Sequence, residues 1–251
     1  MVKTVVALFI SLLSFTSSWA EGPPASTYRD ITDDMVLIPA GIFKRGCDRF
    51  GPEHGAPAYE VYLNSFMIDK YEVTNKRFEE VMPEHSFRRS RLSSCEDCPV
   101  SKVTWYQAAD YCYLIGKGLP SEAQWEKAAD GKDGCEFQWG EEFDPQKKMA
   151  HGGLKLKDKA SPVGSYPPNK FGIFDMAGNM WEWVADWYSP NYYLKELMYN
   201  PRGPRSGVMK VRRGGAWSDS VKAMSVGYRD WSYPFSRNFN DIGFRCVLNL
   251  K

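Results

Sequence analysis

The segment at residues 166–183, with the sequence YPPNKFGIFDMAGNMWEW, constrains the fold of this chain more than any other stretch. Its aromatic side chains can bury large areas, and its glycines permit backbone conformations that other residues resist. Asp175, Asn179 and Glu182 are close enough in sequence to converge, together with loop carbonyls, on one hard cation such as calcium. The pattern therefore predicts a fold that is held by turns and an ion rather than by long helices.

The first 20 residues have the features of a secretory signal peptide. Lys3 supplies a basic start, an apolar run follows at residues 5–13, and Ser18 and Ala20 frame a small-x-small cleavage site. The apolar run is shorter than the roughly 20 residues that a membrane-spanning helix needs. We therefore predict an exported protein, periplasmic or secreted, with a signal peptide at residues 1–20, a lead-in at residues 21–32 and one large domain at residues 33–251.

The charge of the mature chain argues against nucleic acid or an anionic membrane surface as its main partner. The 32 basic residues of the full chain include Lys3, so removal of the signal peptide leaves as many basic residues as the 31 acidic ones. A chain without net charge generates no strong attractive field for a polyanion.

All six cysteines follow the predicted signal peptide, at positions 47, 95, 98, 112, 135 and 246. An even number in an exported chain favours disulfides, although six cysteines allow 15 pairings. Cys95 and Cys98 form a CxxC pair, for which a redox pair, half a zinc site and a small disulfide loop are the alternatives. We favour the structural disulfide because no second CxxC or nearby histidine completes a zinc set.

Local patterns place several strands and helices along the chain. Apolar runs predict strands at residues 35–38, 42–46, 59–63, 211–217 and 242–247. Thr74 is a predicted helix N-cap, and capping boxes that begin at Thr104 and Ser121 predict helices that end before Gly116 and Gly131. The remaining long segments are expected to be loops.

Seven short motifs identify a family. They are MVLIPAG at 35–41, YEVTN at 71–75, PVSKVTW at 99–105, GLPSEAQWE at 118–126, GNMWEW at 178–183, RGGAW at 213–217 and GFRC at 243–246. In this order, from about residue 33 to the end, they resemble the sulfatase-modifying-factor family, which includes the formylglycine-generating enzyme. The resemblance implies an irregular, loop-rich α+β fold that is related to C-type lectins and binds calcium.

The resemblance also implies an ion site in the loop at residues 177–182. The implied ligands are the Glu182 carboxylate and the carbonyls of Ala177, Gly178 and Met180, with Asn179 as the remaining candidate. Such oxygen atoms favour structural calcium over softer metals. The alternative is that Asn179 caps a turn and Glu182 hydrogen-bonds to it. A second family calcium site is expected near residues 151–160, where His151 and several lysines argue against it.

By the same resemblance, Cys112 pairs with Cys246, which leaves Cys47 and Cys135 as the residual pair. The family's oxidising enzyme binds copper through two thiols shortly after its Gly-Gly motif. In this sequence Asp219 and Met224 occupy those two positions, and no cysteine occurs at residues 218–245. Because copper(I) requires soft thiolate ligands, we expect neither copper nor formylglycine generation, and no catalytic residue is assigned.

The segment that would carry the thiols instead holds aromatic and polar side chains of the kinds that build recognition surfaces. The candidate ligand-binding residues are Trp217, Asp219, Tyr228, Arg229, Trp231, Tyr233 and Arg237. The alternative is that the aromatics belong to the core and the charges are solvated. The histidines, His54, His85 and His151, are scattered and are expected to be solvated loop residues.

Two functions follow from these features. The first is an exported, non-catalytic binding or scaffolding module with structural calcium, whose partner would be a protein, a peptide or a glycan. The second is a divergent exported oxidoreductase or peptide-modifying enzyme of the same family, since a fold does not determine a function. Thiol–disulfide chemistry at Cys95 and Cys98 is a third and weaker alternative.

Overall fold

Short strands and three short helices make up the regular structure of the part of the chain that the computed structural model describes, residues 33–129, 135, 137, 159–195 and 199–250. The helices are α1 (Asn75–Val81), α2 (Trp105–Leu114) and α3 (Glu122–Ala129). The strands are β1 (Met35–Ile38), β2 (Gly41–Arg45), β3 (Tyr59–Leu63), β4 (Phe66–Asp69), β5 (Trp181–Trp187), β6 (Lys210–Arg213), β7 (Arg229–Ser232), β8 (Ile242–Gly243) and β9 (Val247–Asn249). Residues 31–251 cluster as one compact unit. The predicted signal peptide and the lead-in up to residue 32 lie outside the described residues, as does most of the segment expected to hold a second calcium site.

The strands form three small sheets. One sheet has the order β1-β4-β9, a second pairs β2 with β3, and the third has the order β7-β6-β5-β8. Neighbouring strands are antiparallel except β5 and β8, which are parallel. The third sheet positions the functional region, because β5 carries the end of the predicted ion loop and β6 leads into the Gly-Gly motif.

The predicted helix caps are confirmed. Thr104 accepts a hydrogen bond from the Gln107 backbone N–H, and the Gln107 side chain accepts one from the Thr104 N–H, so both halves of the capping box are made. Ser121 and Gln124 form the same reciprocal pair at the start of α3. Gly116 ends α2 with a φ of +77°, a left-handed conformation that glycine adopts readily.

Two apolar clusters and three disulfides hold these elements together. Trp125, Trp181 and Trp183 are among the largest fully buried side chains. The disulfides are Cys47–Cys135, Cys95–Cys98 and Cys112–Cys246, so all three expected pairs are present. Cys112 faces the core from α2, as its helical spacing predicts.

The sequence did not predict strand β5, which lies at residues 181–187 in the third sheet. Two local expectations were wrong. Arg229 to Ser232 form strand β7 where a loop was expected. The segment 242–247 contains β8 and the start of β9 rather than one strand. Phe244, Arg245 and Cys246 between them are all fully buried, and Arg245 bonds to the Asp69 and Phe174 carbonyls, which a straight strand beside β5 would not reach.

Candidate functional site

The predicted ion loop surrounds Asn179, whose side chain is fully engaged within the protein. Asn179 has a φ of +60°, in the left-handed region that asparagine tolerates better than most residues. Its Nδ2 donates to Glu72 at 2.6 Å, and its Oδ1 accepts from the Ser161 backbone N–H at 3.0 Å. The Asn179 side chain therefore has the role of a buried connector, which leaves the other oxygens of the loop to hold an ion.

Glu182 is buried at the start of β5 and both of its oxygens accept hydrogen bonds. Arg245 Nε lies 3.0 and 2.8 Å from the two carboxylate oxygens, and Arg245 Nη2 lies 2.7 Å from Oε1. Trp125 Nε1 donates to Oε2 at 2.8 Å. Since two carboxylate oxygens offer about four acceptor positions, Glu182 retains limited capacity for a further partner. Its partner is Arg245 rather than Asn179.

Asp175 is the carboxylate in this region with spare capacity. Its Oδ2 accepts from the Gly164 N–H at 2.6 Å, whereas its buried Oδ1 has no hydrogen-bond partner among the described residues. Burial, with a smaller contribution from the Glu182 charge, raises the pKa of Asp175 to about 6. Burial and the charges of Asp175 and Glu182 raise the pKa of Glu72 well above its usual range. Three buried carboxyl groups thus interact here around one guanidinium, that of Arg245.

The balance between the three carboxyl groups and the one guanidinium tests whether these residues suit calcium. The raised pKa values of Asp175 and Glu72 mean that burial disfavours their charged forms. If all three carboxyl groups ionised beside Arg245, two negative charges would remain, which one divalent cation would balance. Within the described chain, no three His, Cys, Asp or Glu side chains lie together as a metal cluster, so backbone carbonyls would have to complete the coordination. Asp175, Glu182 and the carbonyls of Ala177, Gly178 and Met180 offer oxygen atoms alone, which is the kind of ligand that a hard cation prefers.

The two positions that correspond to the copper-binding thiols of the family's oxidising enzyme hold Asp219 and Met224 in this chain. The Asp219 carboxylate accepts hydrogen bonds from Trp181 Nε1 at 2.7 Å and from the Ala216 N–H at 3.1 Å. Burial and the nearby Asp241 charge raise the pKa of Asp219. Met224 is fully buried in a short 3-10 helix, Val221–Met224. Every cysteine of the chain is in a disulfide, so the region offers no thiolate.

Beside Asp219 lies a group of half-buried rings that we call the aromatic surface, formed by Phe50, His54, Tyr228 and Trp231. The His54 ring stacks on Tyr228 with centroids 4.6 Å apart and lies 6.0 Å from Trp231. Phe50 meets Tyr228 edge-on at 5.3 Å. The Lys222 Nζ lies 5.6 and 5.7 Å from the Phe50 and Tyr228 rings. The arrangement combines planar apolar faces with a cation.

His54 is the residue that sequence reasoning missed. Its Nδ1 lies 3.0 Å from the carbonyl oxygen of Arg229, and a carbonyl only accepts, so Nδ1 is the donor in this hydrogen bond. The local sequence GPEHG contains no indication of the distant ring on which the histidine stacks. His85 was also expected to be solvated and is instead buried, with Nε2 bonded to the Ser101 carbonyl. His151 lies outside the described residues.

The remaining candidate residues do not share one surface. Arg229 is fully buried and forms two hydrogen bonds with Glu122, at 2.8 and 3.0 Å, within an ion network that also includes Arg45, Glu126 and Arg213. The prediction that Arg229 faces a ligand is therefore wrong. Tyr233 and Arg237 are exposed in the loop that follows β7, near Phe235. Trp217 is half-buried, and its indole Nε1 has no hydrogen-bond partner in the described part of the chain.

The fold and this site define a class of protein: an irregular, loop-rich α+β domain with buried carboxyl groups beside a Gly-Gly motif. Residues 22–250 match the family model described as "Sulfatase-modifying factor enzyme 1-like domain". The chain therefore belongs to the sulfatase-modifying-factor family. The family assignment and the fold class that the sequence predicted are confirmed.

Individual relatives agree with this assignment. The formylglycine-generating enzyme of Streptomyces coelicolor is 32% identical over 294 residues, which cover 91% of this chain and 93% of that enzyme. The serine/threonine-protein kinase pkn1 of Chlamydia caviae is 34% identical over 243 residues, 87% of this chain but 38% of the kinase, so the chain spans about two fifths of that relative. Treponema denticola variable protein 1 superposes with a TM-score of 0.74 at 25% identity, covering 85% of this chain and 94% of its own.

Proposed function

We propose that this protein is an exported recognition module of the sulfatase-modifying-factor family that has no formylglycine-generating activity and binds a protein, peptide or glycan at the aromatic surface. The observation that carries the proposal is the loss of the thiol pair. Asp219 and Met224 stand at the two positions, and all six cysteines are used in disulfides. Without a thiolate, the chain has no soft donor for copper(I) and no thiol to receive a substrate cysteine.

The contents of the altered region support recognition. Tyr228 and Trp231 are rigid aromatic side chains held by stacking, and such residues bind partners with little loss of conformational entropy. Lys222 and Asp219 add one exposed cation and one half-buried carboxylate beside them. Rigid rings with a few charged groups at the edge are typical of the energetically dominant part of a binding surface.

Structural calcium is part of the proposal. The ion would be held by Asp175, by the carbonyls of Ala177, Gly178 and Met180, and by Glu182. It would neutralise the buried carboxylates and fix the loop that precedes β5. The orphaned Oδ1 of Asp175 is the support for this assignment, and it replaces Asn179 as the side-chain ligand.

Export is proposed on the basis of residues 1–20 and of the disulfides. Three disulfides are expected in an oxidising compartment and are rare in the cytosol of mesophiles. No helix among the described residues has the length and apolar character needed to span a bilayer.

One assay tests the proposed absence of oxidase activity. The mature protein is supplied with copper, oxygen and a peptide that carries a cysteine in a sulfatase-type context, and aldehyde formation is followed by mass spectrometry beside an active formylglycine-generating enzyme. We expect no aldehyde and no copper retained after dialysis. Aldehyde formation at a rate comparable with the active enzyme contradicts the proposal.

A divergent enzyme is the second candidate, and one observation favours it. The His54 ring stacks on Tyr228 and lies 6.0 Å from Trp231, and histidine is the side chain that most often serves as a general acid or base. Stoichiometric iron or copper in the purified protein after a calcium wash, or turnover of a bound peptide that His54→Gln abolishes, supports this candidate over the first.

A further inference from the structure

A small pocket lies elsewhere on the protein and shares no residue with the aromatic surface. The pocket has a volume of about 200 Å³ and is lined by three leucines together with a set of amide and hydroxyl side chains. The polar side chains used below are Asn64, Gln124, Asn200, Arg202 and Asn249. Pockets for drug-sized ligands begin at roughly 300 Å³, so this one suits a single small ring.

Backbone groups fix the orientation of the amides. The Ser121 N–H donates to Gln124 Oε1 at 2.9 Å, which makes the Gln124 amino group the donor to Asn249 Oδ1 at 2.7 Å. The Asn64 N–H donates to Asn200 Oδ1 at 2.9 Å. Because an N–H can only donate, the oxygens of Gln124 and Asn200 must face these partners. The amide oxygens are consequently used within the protein.

The polar groups of the pocket that remain available to a ligand are therefore hydrogen-bond donors. Asn200 and Asn249 retain their amino groups, and Arg202 adds an exposed guanidinium. No acidic side chain is among the described residues that line the pocket. A donor-rich pocket with one cation favours a ligand with several acceptor oxygens and one negative charge, and it disfavours a free amino acid, whose ammonium group would lack an anionic partner.

An aromatic ring stands next to these donors. Tyr199 is 68% exposed, and its hydroxyl donates to Asn64 Oδ1 at 3.2 Å. Its ring stacks on Tyr62 with centroids 5.3 Å apart and planes within 2°, which fixes its position. The negative face of a phenol ring attracts weakly positive C–H groups, and the C–H face of a sugar presents such groups.

We propose that this pocket binds a monosaccharide unit of the uronic acid class. The carboxylate would lie at Arg202 and the amino groups of Asn200 and Asn249, and the hydroxyl oxygens would accept from the remaining donors. Tyr199 borders the pocket without lining it, and the part of the sugar that projects past Asn64 would present its C–H face to this ring. Asn200 is held for this role by a φ of +42° and by donation from its backbone N–H to the Tyr62 carbonyl at 2.9 Å.

The test is isothermal titration calorimetry of the mature chain with glucuronate and galacturonate, with glucose and acetate as partial ligands. Asn249→Asp keeps the oxygen that accepts from Gln124 and replaces the donor with a negative charge, so it removes recognition without disturbing the pocket. Loss of a hydrogen bond to a charged group corresponds to about a tenfold or greater weakening. Asn238→Asp changes the charge equally at an exposed position outside the pocket and is the matched control.

We expect saturable uronate binding, at least roughly tenfold weaker binding of glucose and of acetate, loss in Asn249→Asp and Arg202→Gln, and no change in Asn238→Asp. Absence of saturable uronate binding up to about 10 mM overturns the proposal, as does equal binding of glucose or an unaltered affinity in Asn249→Asp. Tighter binding of a blocked dipeptide with a free C-terminal carboxylate assigns the pocket to peptides instead. None of these outcomes depends on the aromatic surface, so the two proposals fail separately.

Discussion

Glu182 and Arg245, which are 63 residues apart, form a fully buried ion pair in which the guanidinium contacts both carboxylate oxygens. The other guanidinium donors reach the carbonyls of Asp69, Lys70 and Phe174. One side chain of the GFRC motif thus ties together β4, the segment before the ion loop and β5. Each of the two motifs thus supplies one partner of the same buried interaction.

Removal of Arg245 should lower the free energy of unfolding strongly. Arg245→Met leaves Glu182 without its cation, and loss of one partner of a buried pair destabilises proteins by about 3–5 kcal/mol. Arg245→Lys keeps the charge but loses the planar fork, so we expect an intermediate loss. Urea unfolding of both variants measures the difference. A change of less than about 1 kcal/mol in Arg245→Met means that the pair contributes little to stability.

The disulfides should differ in their contribution to stability. Cys112 and Cys246 are 134 residues apart, whereas Cys95 and Cys98 are separated by three. The loop-entropy relation assigns about 5 kcal/mol to the first and roughly 1–2 kcal/mol to the second. Replacing each pair by serines and measuring the free energy of unfolding tests the ratio. Equal losses in the two double variants contradict the entropic account.

Asp186 should make stability depend on pH. It is buried on β5, its Oδ2 accepts from the Glu122 N–H at 2.9 Å, and its Oδ1 has no partner among the described residues. Burial, with a contribution from the Glu122 charge, raises the pKa of Asp186 to about 6. The native state therefore binds this proton more tightly than the unfolded chain, whose value is about 4, and its stability falls as the pH rises from about 4 to 6.

Asp186→Asn should remove the contribution of Asp186 to that slope, while the contributions of Asp175 and Glu72 remain. The variant should be more stable than the native chain at pH values above about 6, by roughly 1–3 kcal/mol, and should show no such advantage near pH 4. Urea unfolding at a series of pH values provides the measurement. If the difference between the two proteins is independent of pH, the Asp186 carboxyl group does not titrate in this range.

Features that depend on residues close together in the sequence were predicted correctly, whereas several features that depend on distant residues were not. The capping boxes at Thr104 and Ser121 involve residues three positions apart, so local sequence was sufficient. Arg229 was misassigned because its partner Glu122 lies 107 residues away and only the fold brings them together. Short motifs gave the family, but the neighbours of His54 depend on a contact between residues 54 and 228 that no local pattern encodes.

Calcium should bind through Asp175. If it does, addition of calcium stabilises the native chain, by about 2.7 kcal/mol when its concentration is 100 times the dissociation constant. Asp175→Asn should remove most of this stabilisation because a neutral amide is a weaker ligand for a hard cation. Asp110→Asn, at an exposed position of α2, is the control. Calcium stabilisation that persists unchanged in Asp175→Asn places the ion elsewhere.

The aromatic surface should dominate recognition. Tyr228 precedes Arg229 in the sequence and Trp231 follows it, and the rings of both residues contact the His54 ring. Tyr233 lies in the exposed loop that follows β7. A ligand selected from an immobilised glycan array or peptide library should lose at least roughly tenfold in affinity in Tyr228→Ala and in Trp231→Ala, since truncated aromatic anchors cost about 2 kcal/mol or more.

The control for that prediction is Tyr113→Ala, a tyrosine of α2 that is 78% exposed and has no part in the surface. Tyr233→Ala separates the two exposed regions that the candidate residues occupy. If Tyr233→Ala weakens binding and Tyr228→Ala does not, the ligand lies on the outer loop. In that case the half-buried rings around His54 are structural.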